Sequence, residues 1–286
     1  RHRARWGRSA APWGLALPFL LLAMPAASLE LDGVFRQGRL VTGRTVPGAE
    51  VHLSGRTLPV TPDGVFLIGF GRDAPADQKL VVDPPGRPAR SYRLRIRERD
   101  YGVQRIDGLP QAMVHPDPAA LDRIREEQAR VERARGHLTR IRGFREEFSW
   151  PVTGRVSGVY GTRRILNGEP RQPHFGVDIA APSGTPVRSP ASGVVRMAEP
   201  DLYFSGGTVI LDHGWTLTST FLHLDSLRVA EGEPVSRGQV IGQVGATGRA
   251  TGPHLDWRIN LGEKRLDPAL LAGPMPGGKS GPSTEP

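Results

Sequence analysis

Apolar residues in this chain fall mostly in short runs or alternate with polar ones, with Gly and Pro between them. That rhythm predicts many short strands. Val41 to Val60 is broken by Thr-Gly, Pro-Gly and Ser-Gly pairs, and Thr61-Pro62-Asp63-Gly64 is a turn signal before the apolar Val65-Phe66-Leu67-Ile68. Leu80-Val81-Val82 and Tyr92 to Ile96 read as further strands, so residues 29–112 are expected to form a β-sandwich of the immunoglobulin-like kind. The period changes between 113 and 149. Asp117-Pro118 offers a helix start, and Leu121, Ile124, Val131, Leu138 and Ile141 recur at spacings of three and seven among Arg and Glu. This predicts a connecting helix, weakened in its second half by Gly136 and Gly143 and packed on its own chain. Trp150-Pro151 opens a second β-rich segment to about residue 272. Val152 to Tyr160, Gly193 to Met197, Thr208 to Leu211, Leu217 to His223 and His254 to Asn260 are its expected strands. Residues 273–286 are rich in Gly, Pro and Ser and are expected to be a disordered tail.

The N-terminal 28 residues follow different rules. Arg1, Arg3, Arg5 and Arg8 precede an apolar run from Trp13 to Met24, and Pro25-Ala26-Ala27-Ser28 supplies small residues. This is the layout of a secretory signal, and the run is shorter than the roughly 20 residues a membrane helix needs. Export is therefore expected, to the periplasm or cell envelope, with no stable membrane span once the signal is cleaved. Net charge is +9, and removing the four leader arginines leaves +5. That balance suits an anionic envelope polymer, and with export it argues against nucleic acid. There is no cysteine, so any metal must be held by His, Asp or Glu.

Five residues then stand out: His174, Asp178, His223, His254 and Asp256. His254 and Asp256 are two apart on an expected strand, so their side chains share a face while Leu255 and Trp257 face the other way. His174 and Asp178 would be about 13 Å apart on a straight strand, too far for one metal, but Gly176 lets the chain bend. Taken singly, each has an ordinary explanation: Asp178 in a turn, Asp256 paired with Arg258, His223 a satisfied core histidine.

The surrounding text is more specific. His174-Phe-Gly-Val-Asp178-Ile-Ala180, Gly184-Thr-Pro-Val187, Ser192-Gly-Val-Val195, Gly206-Gly-Thr-Val-Ile210 and Gly252-Pro-His-Leu255 resemble the LytM/lysostaphin-type zinc metallopeptidases over roughly residues 150–268. The resemblance implies an antiparallel β domain and one zinc ion per chain. It implies His174 and Asp178 as ligands, Asp256 in the place of the third, and His223 and His254 as the catalytic histidines. The implied reaction is zinc-dependent hydrolysis of peptidoglycan peptide crosslinks. The family's His-x-His reads His254-Leu255-Asp256 here. A second carboxylate cancels the zinc charge and is expected to lower activity near neutral pH. The other function this substitution allows is a degenerate, non-catalytic regulator that binds or activates a cell-wall amidase. His213, in Leu-Asp-His-Gly, is expected to be non-catalytic. The Gly-rich stretch from Gly232 also resembles biotinyl or lipoyl carrier hairpins, but no lysine lies between Lys79 and Lys264 to carry the group.

Overall fold

The computed structural model describes residues 29–108 and 117–277. The leader segment and the 112/113 boundary lie outside the described residues. The chain is mostly β, as its pattern requires. Seven strands come first: β1 (Glu30–Asp32), β2 (Leu40–Arg44), β3 (Glu50–Leu53), β4 (Arg56–Leu58), β5 (Val65–Gly69), β6 (Asp77–Asp83) and β7 (Arg90–Arg95). They form one sheet of order β1-β2-β5 and another of order β4-β3-β6-β7. Val41, Phe66 and Ile68 from the first meet Val51, Leu53, Leu80, Val82 and Leu94 from the second in one core. β2 and β6 alternate buried and exposed positions, as half-buried strands should.

β5 is buried at every position. Phe66 and Ile68 point into the sandwich, while Val65 and Leu67 belong to the core of the second unit. The continuous apolar run is therefore the mark of a strand covered on both faces. Polar contacts close the same interface. Arg99 Nη1 lies 2.7 Å from Asp267 Oδ2, Arg39 Nη1 donates to Leu270 O and Arg72 Nε donates to Gly161 O.

β8 (Val103–Ile106) leaves the sandwich, and α1 (Leu121–Arg135) follows a 3₁₀ turn at Pro118–Ala120. Asp117 caps that turn, its Oδ1 accepting from Ala119 N at 2.9 Å. Leu138 and Ile141, expected on the helical stripe, lie beyond the helix end. From Thr139 the chain is a strap: Thr139 O accepts from Trp215 N and Thr139 Oγ1 donates to Asp212. A Cβ at Gly143 would sit 1.8 Å from Ser192 O, so that glycine is there for close approach. Strap contacts and two glycines outweigh helix propagation. Val131 and Ala134 seat α1 on Met197, Leu202 and Ile210.

The remaining strands are β9 (Arg155–Gly158), β10 (Arg163–Leu166), β11 (Glu169–Arg171), β12 (Val177–Ala180), β13 (Pro186–Arg188), β14 (Gly193–Leu202), β15 (Gly206–Gly214), β16 (Leu217–Leu227), β17 (Pro234–Val235), β18 (Val240–Val244), β19 (His254–Leu261) and β20 (Lys264–Leu266). The main sheet runs β17-β14-β15-β16-β19-β12-β9. Its pairings are antiparallel, with bulges in β12, β14, β15 and β16. One face carries a core including Val209, Leu211, Phe221, Leu255, Trp257 and Ile259, to which Phe144 and Phe148 of the strap contribute. α1 packs on the other face. β8 joins the β10–β11 hairpin in parallel, with Val103 opposite Arg163 and Ile106 opposite Leu166. A short helix α2 (Pro268–Ala272) ends the fold. The segment from Gly273, expected to be disordered, packs at its start: Gly273 O accepts from Trp150 Nε1 and Met275 Sδ from Gly154 N. Among the described residues no helix is long and apolar enough to cross a membrane.

Candidate metal centre

The site lies on the sheet face opposite the core, where β12 and β19 run side by side. Register makes Asp178 the direct partner of Asp256 and Ala180 that of His254. Leu255 and Trp257 point into the core and are fully buried, leaving His254, Asp256 and Arg258 on the other face. Two carboxylates opposite one another repel unless something positive sits between or behind them. His174, just before β12, provides part of it: its Nε2 is 3.0 Å from Asp178 Oδ1 and 3.6 Å from Asp256 Oδ2.

Two glycines make room for the carboxylates. A Cβ at Gly176 would stand 2.3 Å from Asp256 Oδ1, and one at Gly158 would stand 2.2 Å from Asp178 Oδ2. Gly176 thus serves close approach, where the sequence suggested a bend. His174 is fixed by its own backbone, its N–H donating to Thr162 O and its carbonyl accepting from Gly161 N.

Two arginines that the metal motif alone does not reveal stand behind the carboxylates. Arg258 grips Asp256, with Nη2 2.6 Å from Oδ2 and Nε 3.0 Å from Oδ1. Arg164 Nη2 donates to Asp178 Oδ2 at 3.1 Å. Arg258 is legible as the same-face neighbour of Asp256 two positions on. Arg164 comes from the β10–β11 hairpin, and no sequence spacing announces it. Burial alone would raise the pKa of Asp256, but Arg258 and His174 outweigh it and hold the carboxyl well below the ordinary value. Burial likewise disfavours charged His174, yet Asp178 and Asp256 raise its pKa above the usual histidine value.

His174, Asp178 and Asp256 offer ligand atoms all within 4.8 Å of one another, and all three side chains are buried. Both ring nitrogens of His174 and Oδ1 of Asp178 are buried without a well-directed hydrogen bond among the described residues. Buried polar atoms converging in this way are what an ion would satisfy. The donors are one imidazole and two carboxylates, a set that suits zinc. Each carboxylate oxygen has two acceptor positions, so a guanidinium on one edge leaves others for an ion.

The two remaining histidines stand beside this group. Their ring centroids are 4.7 Å apart. His223 Nδ1 meets Thr247 O and His254 Nδ1 meets Gly252 O, each at 2.8 Å. A carbonyl only accepts, so both Nδ1 atoms carry hydrogen and both Nε2 atoms are left for chemistry. His223 sits at φ 65°, a costly conformation for a non-glycine residue. Its N–H donates to Ser205 O in the β14–β15 turn, which holds it there. Burial lowers its pKa and favours the neutral ring. His213 is elsewhere: fully buried, with Nδ1 on Ser192 O and Nε2 on Ser219 Oγ, its pKa pushed down to about 4 by burial.

Residues 172–268 match Peptidase family M23. Among curated proteins, the chain is 43% identical over 106 residues to the peptidoglycan DD-endopeptidase ShyA of Vibrio cholerae, covering 37% of this chain and 24% of ShyA. It is 37% identical over 125 residues to the DD-carboxypeptidase/endopeptidase Mpg of Neisseria meningitidis, covering 44% of this chain and 29% of Mpg. The chain thus spans less than a third of the length of these relatives. A crystal structure of a peptidase M23 from Pseudomonas aeruginosa superposes with a TM-score of 0.66 at 29% identity, covering 84% of this chain and 96% of that one. Residues 172–268 therefore carry a Peptidase M23 domain of the LytM/lysostaphin family, within which His174, Asp178 and Asp256 form a group that can hold a zinc ion.

Proposed function

We propose that the chain is a zinc-dependent peptidoglycan endopeptidase, exported to the periplasm or cell envelope, that hydrolyses peptide crosslinks. The observation that carries this reading is the pair of imidazoles beside the His174–Asp178–Asp256 group, each anchored at Nδ1 and open at Nε2. A bound zinc supplies Lewis acidity and a water that is nucleophilic near neutral pH. His223, favoured in its neutral form by burial, accepts the proton at Nε2 and returns it to the leaving amine. His254 Nε2 donates to the oxyanion in this reading when its ring is protonated. Asp256 orients on Arg258, and Asp178 on Arg164. The ligand charge count alone argues for reduced activity, since two carboxylates neutralise a divalent ion. The two guanidiniums oppose that reduction by restoring positive charge around the centre.

One observation favours a second reading. Arg258 engages both oxygens of Asp256, so the arginine could serve in place of a metal, giving a non-catalytic domain that binds or activates a cell-wall amidase. Digestion of peptidoglycan with and without added zinc separates the two, read by mass spectrometry of released muropeptides. Zinc-dependent loss of crosslinked dimers is the expected result. No release by folded protein under any metal condition overturns the endopeptidase reading and leaves the regulator.

A further inference from the structure

We propose that Glu127 of α1 is a positioning residue for His223, acting through the turn between β14 and β15, so that the connecting helix is a working part of the hydrolytic centre. The proposal rests on the endopeptidase reading and adds to its site a residue that lies outside residues 172–268. His223 needs holding, because φ 65° is a conformation that its neighbours must impose. Two carbonyls do so: Ser205 O accepts its N–H and Thr247 O meets its Nδ1, each at 2.8 Å. Both carbonyls belong to loops that lock together. Gly207 N donates to Thr247 Oγ1 and Arg249 N donates to Phe204 O, each at 2.9 Å. A Cβ at Gly206 would stand 2.2 Å from Thr247 Oγ1, so the two loops pack without a gap. Whatever fixes residues 203–205 therefore fixes both anchors of His223.

The helix α1 does the fixing. Tyr203 N donates to Glu127 Oε2 at 2.8 Å. Arg123 Nε donates to Glu127 Oε1 at 2.6 Å, and Arg123 Nη2 donates to Asp201 O at 2.6 Å and to Asp201 Oδ2 at 3.1 Å. Further along the helix, Arg130 pairs with Glu199. These contacts are more than the helix needs for its own seating. Val131 and Ala134 already rest on Met197, Leu202 and Ile210. An i,i+4 pair with its cation on the N-terminal side is also the weaker orientation for a helix. The Glu127 side chain is only 13% exposed, and the turn amide it accepts from gains a charge-assisted bond where water commonly serves. The carboxylate thus acts on the turn, and the turn acts on the imidazole.

The test uses the full chain, saturating zinc and crosslinked muropeptide dimers. Glu127→Ala is expected to lower kcat about tenfold with KM within about twofold, because a displaced base is missed in the transition state and not in binding. Glu127→Gln keeps an acceptor for Tyr203 N and should stay within about threefold of wild-type kcat. Arg125→Gln, on the same helix where both Arg125 and its partner Asp122 are exposed, should leave kcat unchanged. Zinc affinity should be the same in all four proteins, since the ligands lie on β12, on β19 and just before β12. In the metal-free protein, hydrogen exchange followed by NMR should show the His223 amide exchanging about tenfold faster in Glu127→Ala than in wild type. Where wild type cleaves, wild-type kcat or wild-type His223 exchange in Glu127→Ala overturns the proposal and leaves the endopeptidase intact. An equal loss of kcat in Arg125→Gln does the same, since it would mark general loosening of the helix. Faster His223 exchange with no cleavage by wild type upholds the coupling and sinks the endopeptidase reading instead. Unchanged exchange and no cleavage sinks both.

Discussion

At the scale of single residues, the centre turns on the pair Asp256–Arg258. Position 256 alone, read from sequence, is a ligand substitution that costs charge. In the fold it is half of an ion pair, and Asp256 is only 2% exposed. Removing one member of a largely buried pair strands the other, at a cost of roughly 1–3 kcal/mol where one partner keeps some solvent. Arg258→Gln should therefore lower the melting temperature of the metal-free protein, and saturating zinc should restore more stability to the variant than to the wild type. Asp256→His alone should lose stability, and Asp256→His with Arg258→Gln should recover much of it. Thermal melts with and without zinc measure the cycle, and simply additive losses would show that the two side chains act independently. The five histidine and aspartate positions were legible because each sits in a short motif. Arg164 was not, because only the three-dimensional approach of β10 to β12 puts its guanidinium on Asp178.

At the scale of elements, strand pairs and their fasteners matter most. β15 and β16 are tied through His213, whose ring spans Ser192 and Ser219 with no exposure to solvent. Its pKa is about 4 in the fold against 6.5 for the ordinary side chain. Between those values the unfolded chain binds a proton that the folded one refuses. Stability is thus unaffected above about pH 6.5 and falls as pH drops toward 4, by on the order of 3 kcal/mol from this group. A His213→Gln variant, compared with wild type by denaturant unfolding from pH 7 to 4.5, should show a flatter decline. Equal slopes would mean another group controls that range. The strands themselves were readable from alternation, though several run longer than their motifs. The helix was over-read, because Leu138 and Ile141 keep a helical spacing while their segment pairs with the β15–β16 turn. Local periodicity cannot weigh such a tertiary competitor.

At the scale of the whole molecule, the two halves share structure. Val65 and Leu67 of the sandwich and Phe144 and Phe148 of the strap lie in the core beneath the metal centre. β8 extends the hairpin that carries Arg164 and Arg171. A fragment beginning near residue 150 would lack all of these. It should be less stable than the full chain, because the core beneath the metal centre loses Val65, Leu67, Phe144 and Phe148. Calorimetric melting of the two proteins side by side would check this, and equal melting temperatures would show that the second unit stands alone. The sequence marked the two β units by composition but not this sharing. A strand buried on both faces and an ordinary core strand have the same apolar text.

The facing carboxylates of β12 and β19 have one more consequence, for the order of events in the protein's life. A sheet that placed Asp178 against Asp256 with nothing positive nearby could close only around an ion, and folding would wait for metal. Here His174, Arg164 and Arg258 already answer those charges. The chain can complete its fold empty and take up zinc afterwards, so metal supply sets when the centre is loaded and not whether the protein survives to receive it.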